Sequence, residues 1–198
     1  LITGANRGIG LAIVESFIAH GIKKIYAGVR TLDKADKVIQ THGAKIVPVT
    51  IDYDKPETIY KAAHTANDVE IVVSNAGVLI GAEVMARDVL QRFEKELQIN
   101  VYGLIHMAHA FAPVLKANRG GAFVQLNSIA SLSSFPRATY SASKAAAYSF
   151  TQALRDVLRE QGTRVLSVHP GPILTDMAIE SGFDEDADPA SVVSEGII

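Results

Sequence analysis

Short apolar runs alternate along the chain with segments of helical periodicity. Runs suited to buried strands fall at residues 1–3, 24–29, 45–50, 71–74, 122–126 and 165–168. Small or turn-forming residues follow the runs, and helical patterns lie between or after them at residues 8–20, 33–42, 56–65, 87–117 and 139–161. Unbroken apolarity, rather than strict alternation, is what a strand covered on both faces needs. The order therefore predicts an α/β chain with a doubly wound parallel sheet, three layers deep, in a single domain over residues 1–198. The long pattern at 87–117 holds Gly103 and Pro113, where a bend or break is expected.

Composition narrows the classes. The 198 residues are 48% hydrophobic and 20% charged, enough for one sizeable core and too few for a second full domain. Lys plus Arg, 19, against Asp plus Glu, 21, gives a net charge of −2, without the basic excess of a nucleic-acid binder, so no nucleic-acid partner is expected. With no cysteine, disulfides, thiolate metal sites and cysteine nucleophiles are excluded. Charged residues interrupt every apolar run, so no membrane partner is expected and a cytoplasmic location is. The chain opens on Leu1-Ile2-Thr3 and ends soon after a new helical pattern begins at Ala190, so further chain is expected at both ends. The acidic run Asp184-Glu185-Asp186 with Asp188 reads as a solvated loop, and no metal site is expected.

Candidate chemistry collects at the strand ends. Thr3-Gly4-Ala5-Asn6-Arg7-Gly8-Ile9-Gly10 lies where the first strand turns into the first helix. Glycines there let the backbone approach a pyrophosphate held by the free amides of a helix N-terminus, although a packing turn uses the same residues. The second strand ends in Gly28-Val29-Arg30, with no acid before Asp33. A cation at this point pairs with a 2′-phosphate, and an acid would accept from a free 2′-hydroxyl. Arg30, together with Arg7, thus favours NADP(H) over NAD(H), against the alternative of two solvated arginines. Asp52, followed by Tyr53, reads either as an acceptor for an adenine amino group or as a turn residue. Asn75, Ala76 and Gly77 after the fourth strand are small enough for a close-lying cofactor, or for an ordinary turn.

Tyr140 and Lys144 open the last long helical pattern, four residues apart and on one face. A phenol titrates near pH 10, and lowering it by about three units requires about 4 kcal/mol of differential stabilisation. An ammonium beside an oxidised nicotinamide is the expected source. Ser128, after the fifth strand, reads either as the group that holds a carbonyl oxygen or as one of several loop serines, with Ser131, Ser133 and Ser134. Asn100, inside the 87–117 pattern, is either a tolerated polar residue or the mark of a disturbed helical ladder. Pro170, Gly171, Ile173 and Thr175 follow the sixth strand, as a turn or as a floor under the nicotinamide. All but Asn100 fall on the carboxyl rim of the expected sheet, where open parallel sheets bind ligands.

Taken in order, TGANRGIG, SNAG, Asn100, Ser128, YSASK and HPGPILTDM resemble the short-chain dehydrogenase/reductase family in its compact one-domain form, over nearly the whole chain. The resemblance implies a Rossmann-like fold and a metal-free hydride transfer between a nicotinamide and a small-molecule carbonyl or alcohol. It makes Tyr140 the general acid/base, Lys144 its partner and a ribose ligand, and Ser128 the group that orients the carbonyl. Asn100 would support a proton-relay water through its backbone. Self-association as a homodimer or homotetramer, through the helices containing Asn100 and Tyr140, is implied too. Ser74 stands where the family often has asparagine, the Ser128-to-Tyr140 spacing is one residue shorter than is common, and the lid at 177–188 is short. Leu79, Leu132, Phe135, Pro136, Leu174 and Met177 are the expected substrate-facing residues, and the substrate is expected to be apolar. Two other classes compete: a non-enzymatic NADP(H)-binding sensor or scaffold, and a sugar-nucleotide epimerase or dehydratase.

Overall fold

The computed structural model describes residues 1–185 and 187–197. Asp186, which belongs to the expected lid and the acidic run, and Ile198 lie outside the described residues. The apolar runs form β1 (Ile2–Thr3), β2 (Ile25–Val29), β3 (Ile46–Thr50), β4 (Ile71–Ser74), β5 (Gly121–Leu126) and β6 (Thr163–Val168). They pair in parallel, in the order β3-β2-β1-β4-β5-β6. This is the expected doubly wound, Rossmann-like sheet in one domain.

Side-chain alternation along the strands divides the core into two layers. Tyr26, Val72, Phe123 and Val165 point to one face, where α3 (Pro56–Thr65), α5 (Gly103–Ala117) and α6 (Ala138–Arg159) bury Ile59, Phe111 and Ala147 against them. Their strand neighbours Ile25, Ala27, Val73 and Val124 point to the other, under α1 (Gly8–Ala19), α2 (Asp36–His42) and α8 (Ser191–Glu195), which contribute Val14, Val38 and Val193. Period-two alternation within apolar strands thus feeds both faces at once. The last helix forms within the apolar pattern expected from Ala190.

The 87–117 pattern is where expectation and structure differ. It divides into α4 (Val89–Glu96), a π-helical segment (Leu97–Tyr102) and α5. The break is therefore this widened turn around Asn100, and α5 runs regularly through Pro113. A proline inside a helix deprives the carbonyl four residues earlier of its donor. Here that residue is the exposed His109, whose carbonyl water can serve, so the helix need not break. Gly103 follows from close packing: a Cβ there would fall 2.3 Å from Cδ2 of the Tyr53 ring.

Candidate active site

The sheet order reverses between β1 and β4, which parts the loops leaving their carboxyl ends and opens a cavity of about 750 Å³. Thr3, the last residue of β1, ties the two strand ends together. Its hydroxyl accepts the amides of Asn75 and Ala76, both at 2.9 Å, and Asn75 Nδ2 donates to the Thr3 carbonyl at 2.8 Å. The Tyr53 hydroxyl lies 3.2 Å from Thr3 Oγ1 and 3.3 Å from Ser74 Oγ, so the ring is a buried support beneath the rim with one edge on the cavity.

Two glycines of the first loop are required by geometry. Gly4 has φ +64°, in the left-handed region, and a Cβ at Gly10 would sit 2.1 Å from the Gly4 carbonyl oxygen. α1 starts immediately after Arg7, whose side chain supplies no cap, so the first helical amides are left for a ligand. Arg7 is ion-paired at 2.7 Å with Asp176, at the start of α7 (Asp176–Ser181). Arg30 is exposed at the end of β2 and lines the cavity with Thr31 and Lys34. Asp52 lines it too, and its carboxylate accepts the Asp54 amide at 3.1 Å, so it also serves its own turn.

On the other side of the cleft the Asn100 side chain is spent on structure. Its Oδ1 accepts the Val78 amide at 2.9 Å, and its Nδ2 donates to the Val78 carbonyl at 2.9 Å and to Ser143 Oγ at 3.0 Å. One clamp thereby fixes the loop after β4 against α6. Glu96, fully buried at the end of α4, fixes the next residues, its Oε1 accepting the amides of Ile80 at 2.9 Å and Gly81 at 3.0 Å.

Tyr140 and Lys144 project from the first turns of α6 into the cavity wall, facing Ser128 at the end of β5. Lys144 Nζ donates to the Leu126 carbonyl at 3.0 Å and lies 5.9 Å from the centre of the Tyr140 ring. Burial lowers the Lys144 ammonium from 10.5 to about 8. Burial also pushes the Tyr140 phenol up to about 12; the Ser128 hydroxyl pulls it down, and the Glu96 charge adds to the rise. The lowering expected beside an oxidised nicotinamide concerns the loaded site; in the protein alone burial sets the direction. The Lys144 ammonium is not among the groups that move the phenol, and it donates to the Leu126 carbonyl.

Nearly all the expected site residues line this one cavity: Gly4, Asn6, Arg7, Gly8, Ile9, Arg30, Asp52, Tyr53, Asn75, Ala76, Gly77, Ser128, Tyr140, Lys144, Pro170, Gly171, Ile173 and Thr175. Gly10 and Asn100 stand behind it, as packing and as a clamp. Of the substrate-facing expectations, Leu79, Phe135 and Met177 line the cavity, whereas Leu132, Pro136 and Leu174 do not. Leu132 and Leu174 are 63% and 52% exposed, turned outward on their loops. Glu96, Lys34, Arg137 and Phe183 were missed, as was the part of Thr3 in tying two strand ends together. Only Lys34 carried a signal, as a second cation soon after Arg30. Among the described residues there is no cluster of metal-ligating side chains and no helix long and apolar enough to cross a membrane.

A doubly wound sheet with a glycine loop at its switch point and a Ser, Tyr, Lys group on the rim defines a dinucleotide-fold protein of redox type. Residues 1–186 match the short chain dehydrogenase family, and the chain belongs to that oxidoreductase family. A short chain dehydrogenase from Burkholderia cenocepacia, solved in complex with NADP, is 35% identical with a TM-score of 0.90, over 98% of this chain and 79% of that one. An uncharacterised oxidoreductase of Staphylococcus aureus is 30% identical over 93% of this chain and 80% of its own. A family member from Burkholderia phymatum, solved with NAD, shares the fold at a TM-score of 0.86 and 23% identity, over 98% of this chain and 82% of that one.

Proposed function

We propose that the chain is an NADP(H)-dependent carbonyl reductase or alcohol dehydrogenase acting on a small, largely apolar substrate. The observation that supports this most directly is that Ser128, Tyr140 and Lys144 line the same cavity as the glycine loop and Arg30.

The residues present fit a nicotinamide dinucleotide. Uncapped amides at the start of α1 and the Gly4 backbone suit a pyrophosphate, and Arg30 and Lys34 suit a 2′-phosphate, which Arg7 could join only by leaving Asp176. Asp52 suits the adenine, and Asn75, Ala76, Gly77, Pro170, Gly171, Ile173 and Thr175 would wall the rest. The bound cofactor supplies the hydride in reduction and accepts it in oxidation. In reduction, Tyr140 donates its phenolic proton to the substrate oxygen, which Ser128 holds by a hydrogen bond; in oxidation the phenolate takes the proton back. Lys144 holds a ribose hydroxyl and stabilises the phenolate, and the backbone around Asn100 supports the water that returns the proton.

Residues 177–188 are proposed as the substrate lid, closed at its base where Leu174 donates to the Asp188 carbonyl at 2.8 Å. Self-association through the helical segment containing Asn100 and through α6 is supported by their exposed apolar side chains, Tyr102, Phe150 and Val157. NADPH oxidation with a panel of aldehydes and ketones tests the reaction, native protein against Tyr140→Phe. The variant should lose on the order of 10²-fold or more in kcat/KM; equal turnover in both would overturn the assignment.

A further inference from the structure

Arg137 stands one helical turn before Tyr140, whose amide donates to the Arg137 carbonyl at 3.1 Å, and both residues line the cavity. The guanidinium is held in place. Its Nη2 donates to the Ser181 carbonyl at 2.8 Å, and its central carbon lies 5.3 Å from the centre of the Phe183 ring. The stem lies on Gly81, at φ +63°, where a Cβ would come within 2.6 Å of Arg137 Cδ. Arg7, Arg92 and Arg159 each meet a carboxylate, but among the described residues none pairs with Arg137. A half-buried cation with only one donor spent, beside Leu79, Met177 and Phe183, leaves the rest of its fork open to an anion in the cavity.

We propose that Arg137 binds a carboxylate of the substrate, so that the preferred substrates are oxo acids with an apolar body and their hydroxy-acid products. A planar guanidinium fork matches a carboxylate in shape as well as charge. The inference rests on the reading of Tyr140 as proton donor. The carbonyl carbon gains a hydride from NADPH, which becomes NADP⁺; the oxygen gains the Tyr140 proton, and the carboxylate is unchanged. The anionic group and the apolar body use different walls, which reconciles the charge at Arg137 with the apolar lining around it.

The test uses 2-oxo-2-phenylacetate and its methyl ester, which differ in the charge that Arg137 would read. Calorimetric titration is done on the protein saturated with NADP⁺, so that no hydride is available and the cations near β2 are already engaged. The acid should bind about ten-fold more tightly than the ester. Arg137→Gln should erase that difference while leaving ester binding within about two-fold, and Arg137→Lys should keep part of it. Equal binding of acid and ester to native protein, binding of neither, or an equal loss of both in Arg137→Gln would overturn the inference. Reduction by NADPH, assayed in parallel, separates the two ideas. Ester reduced without any preference for the acid overturns the carboxylate site and leaves the oxidoreductase reading standing. Arg137-dependent binding of the acid with neither compound reduced supports the site and counts against Tyr140 as donor.

Discussion

The Lys144 ammonium lies 5.9 Å from the centre of the Tyr140 ring and donates to the Leu126 carbonyl at 3.0 Å. The lysine is therefore positioned by the last residue of β5, and the phenol by the helix that carries both. Burial works against the charged form of each, lowering Lys144 to about 8 and pushing Tyr140 up to about 12. In the protein alone the phenol keeps its proton and is reluctant to ionise. A positive charge beside the pair would lower the phenol, the direction that oxidation of an alcohol needs, and would lower the ammonium further, which works against it.

Burying Lys144 has a consequence for stability against pH. Its folded value, about 8, is below its ordinary 10.5, so between those values the unfolded chain binds more protons than the folded one. The Lys144 contribution to stability should then rise with pH across that window, by up to about 1.4 kcal/mol per unit, and level off above it. Urea unfolding of native protein and Lys144→Met, compared from pH 7 to 9.5, reads this directly. The native-minus-variant difference should climb with pH; a flat difference would mean that Lys144 keeps its ordinary affinity for protons.

Glu96 offers a way to tune the tyrosine without touching it. Glu96→Gln keeps an oxygen for the Ile80 and Gly81 amides but removes the charge that helps hold Tyr140 protonated. The pH profile of alcohol oxidation should move to lower pH in this variant. Glu96→Leu strands two half-buried amides and should cost roughly 1–3 kcal/mol in all, measured by urea unfolding. An unmoved profile in Glu96→Gln would limit Glu96 to fixing the loop.

Cofactor preference is expected to depend on the exposed cation at the end of β2. Arg30→Asp should weaken NADPH binding by about ten-fold or more, through loss of a charge-assisted contact and gain of a like charge. NADH binding should change far less. Fluorescence titration of both cofactors decides it, and equal losses would remove Arg30 from the 2′-phosphate role.

Close packing makes Gly10 irreplaceable. A Cβ would sit 2.1 Å from the Gly4 carbonyl oxygen, which is backbone, and 2.7 Å from Asn75 Nδ2, which is held by its bond to the Thr3 carbonyl. Gly10→Ala should destabilise by roughly 1–3 kcal/mol or more and displace the first loop, with loss of cofactor binding. Gly196→Ala, where the nearest atom would be 3.6 Å away, is the matched control and should stay within about 0.5 kcal/mol.

Much of the rim was legible in the chain because function there is carried by local signals. A glycine loop between a strand and a helix, a cation at a strand end, and Tyr and Lys four apart can each be read within a few residues. The same locality made β4 and α3 readable to the residue. Glu96 was not legible, since a glutamate in the strongly amphipathic, charged α4 looks like a solvent-facing residue. Its burial is decided by the amides of a loop 15 and 16 positions earlier. Arg137 was hidden for a similar reason, since its partners Ser181 and Phe183 lie on the far side of β6 in the chain.

The order of apolar runs and helical periods by itself determined the doubly wound sheet, because a strand buried on both faces can be written only as an apolar run and each crossover needs a helix. Tertiary structure alone decided the π-helical segment at Asn100, the unbroken helix through Pro113, the direction in which Tyr140 and Lys144 titrate, and the anchoring of Arg137. The reason is physical. Backbone periodicity is set by near neighbours, whereas desolvation and hydrogen-bond partnership depend on which distant segments fold into contact.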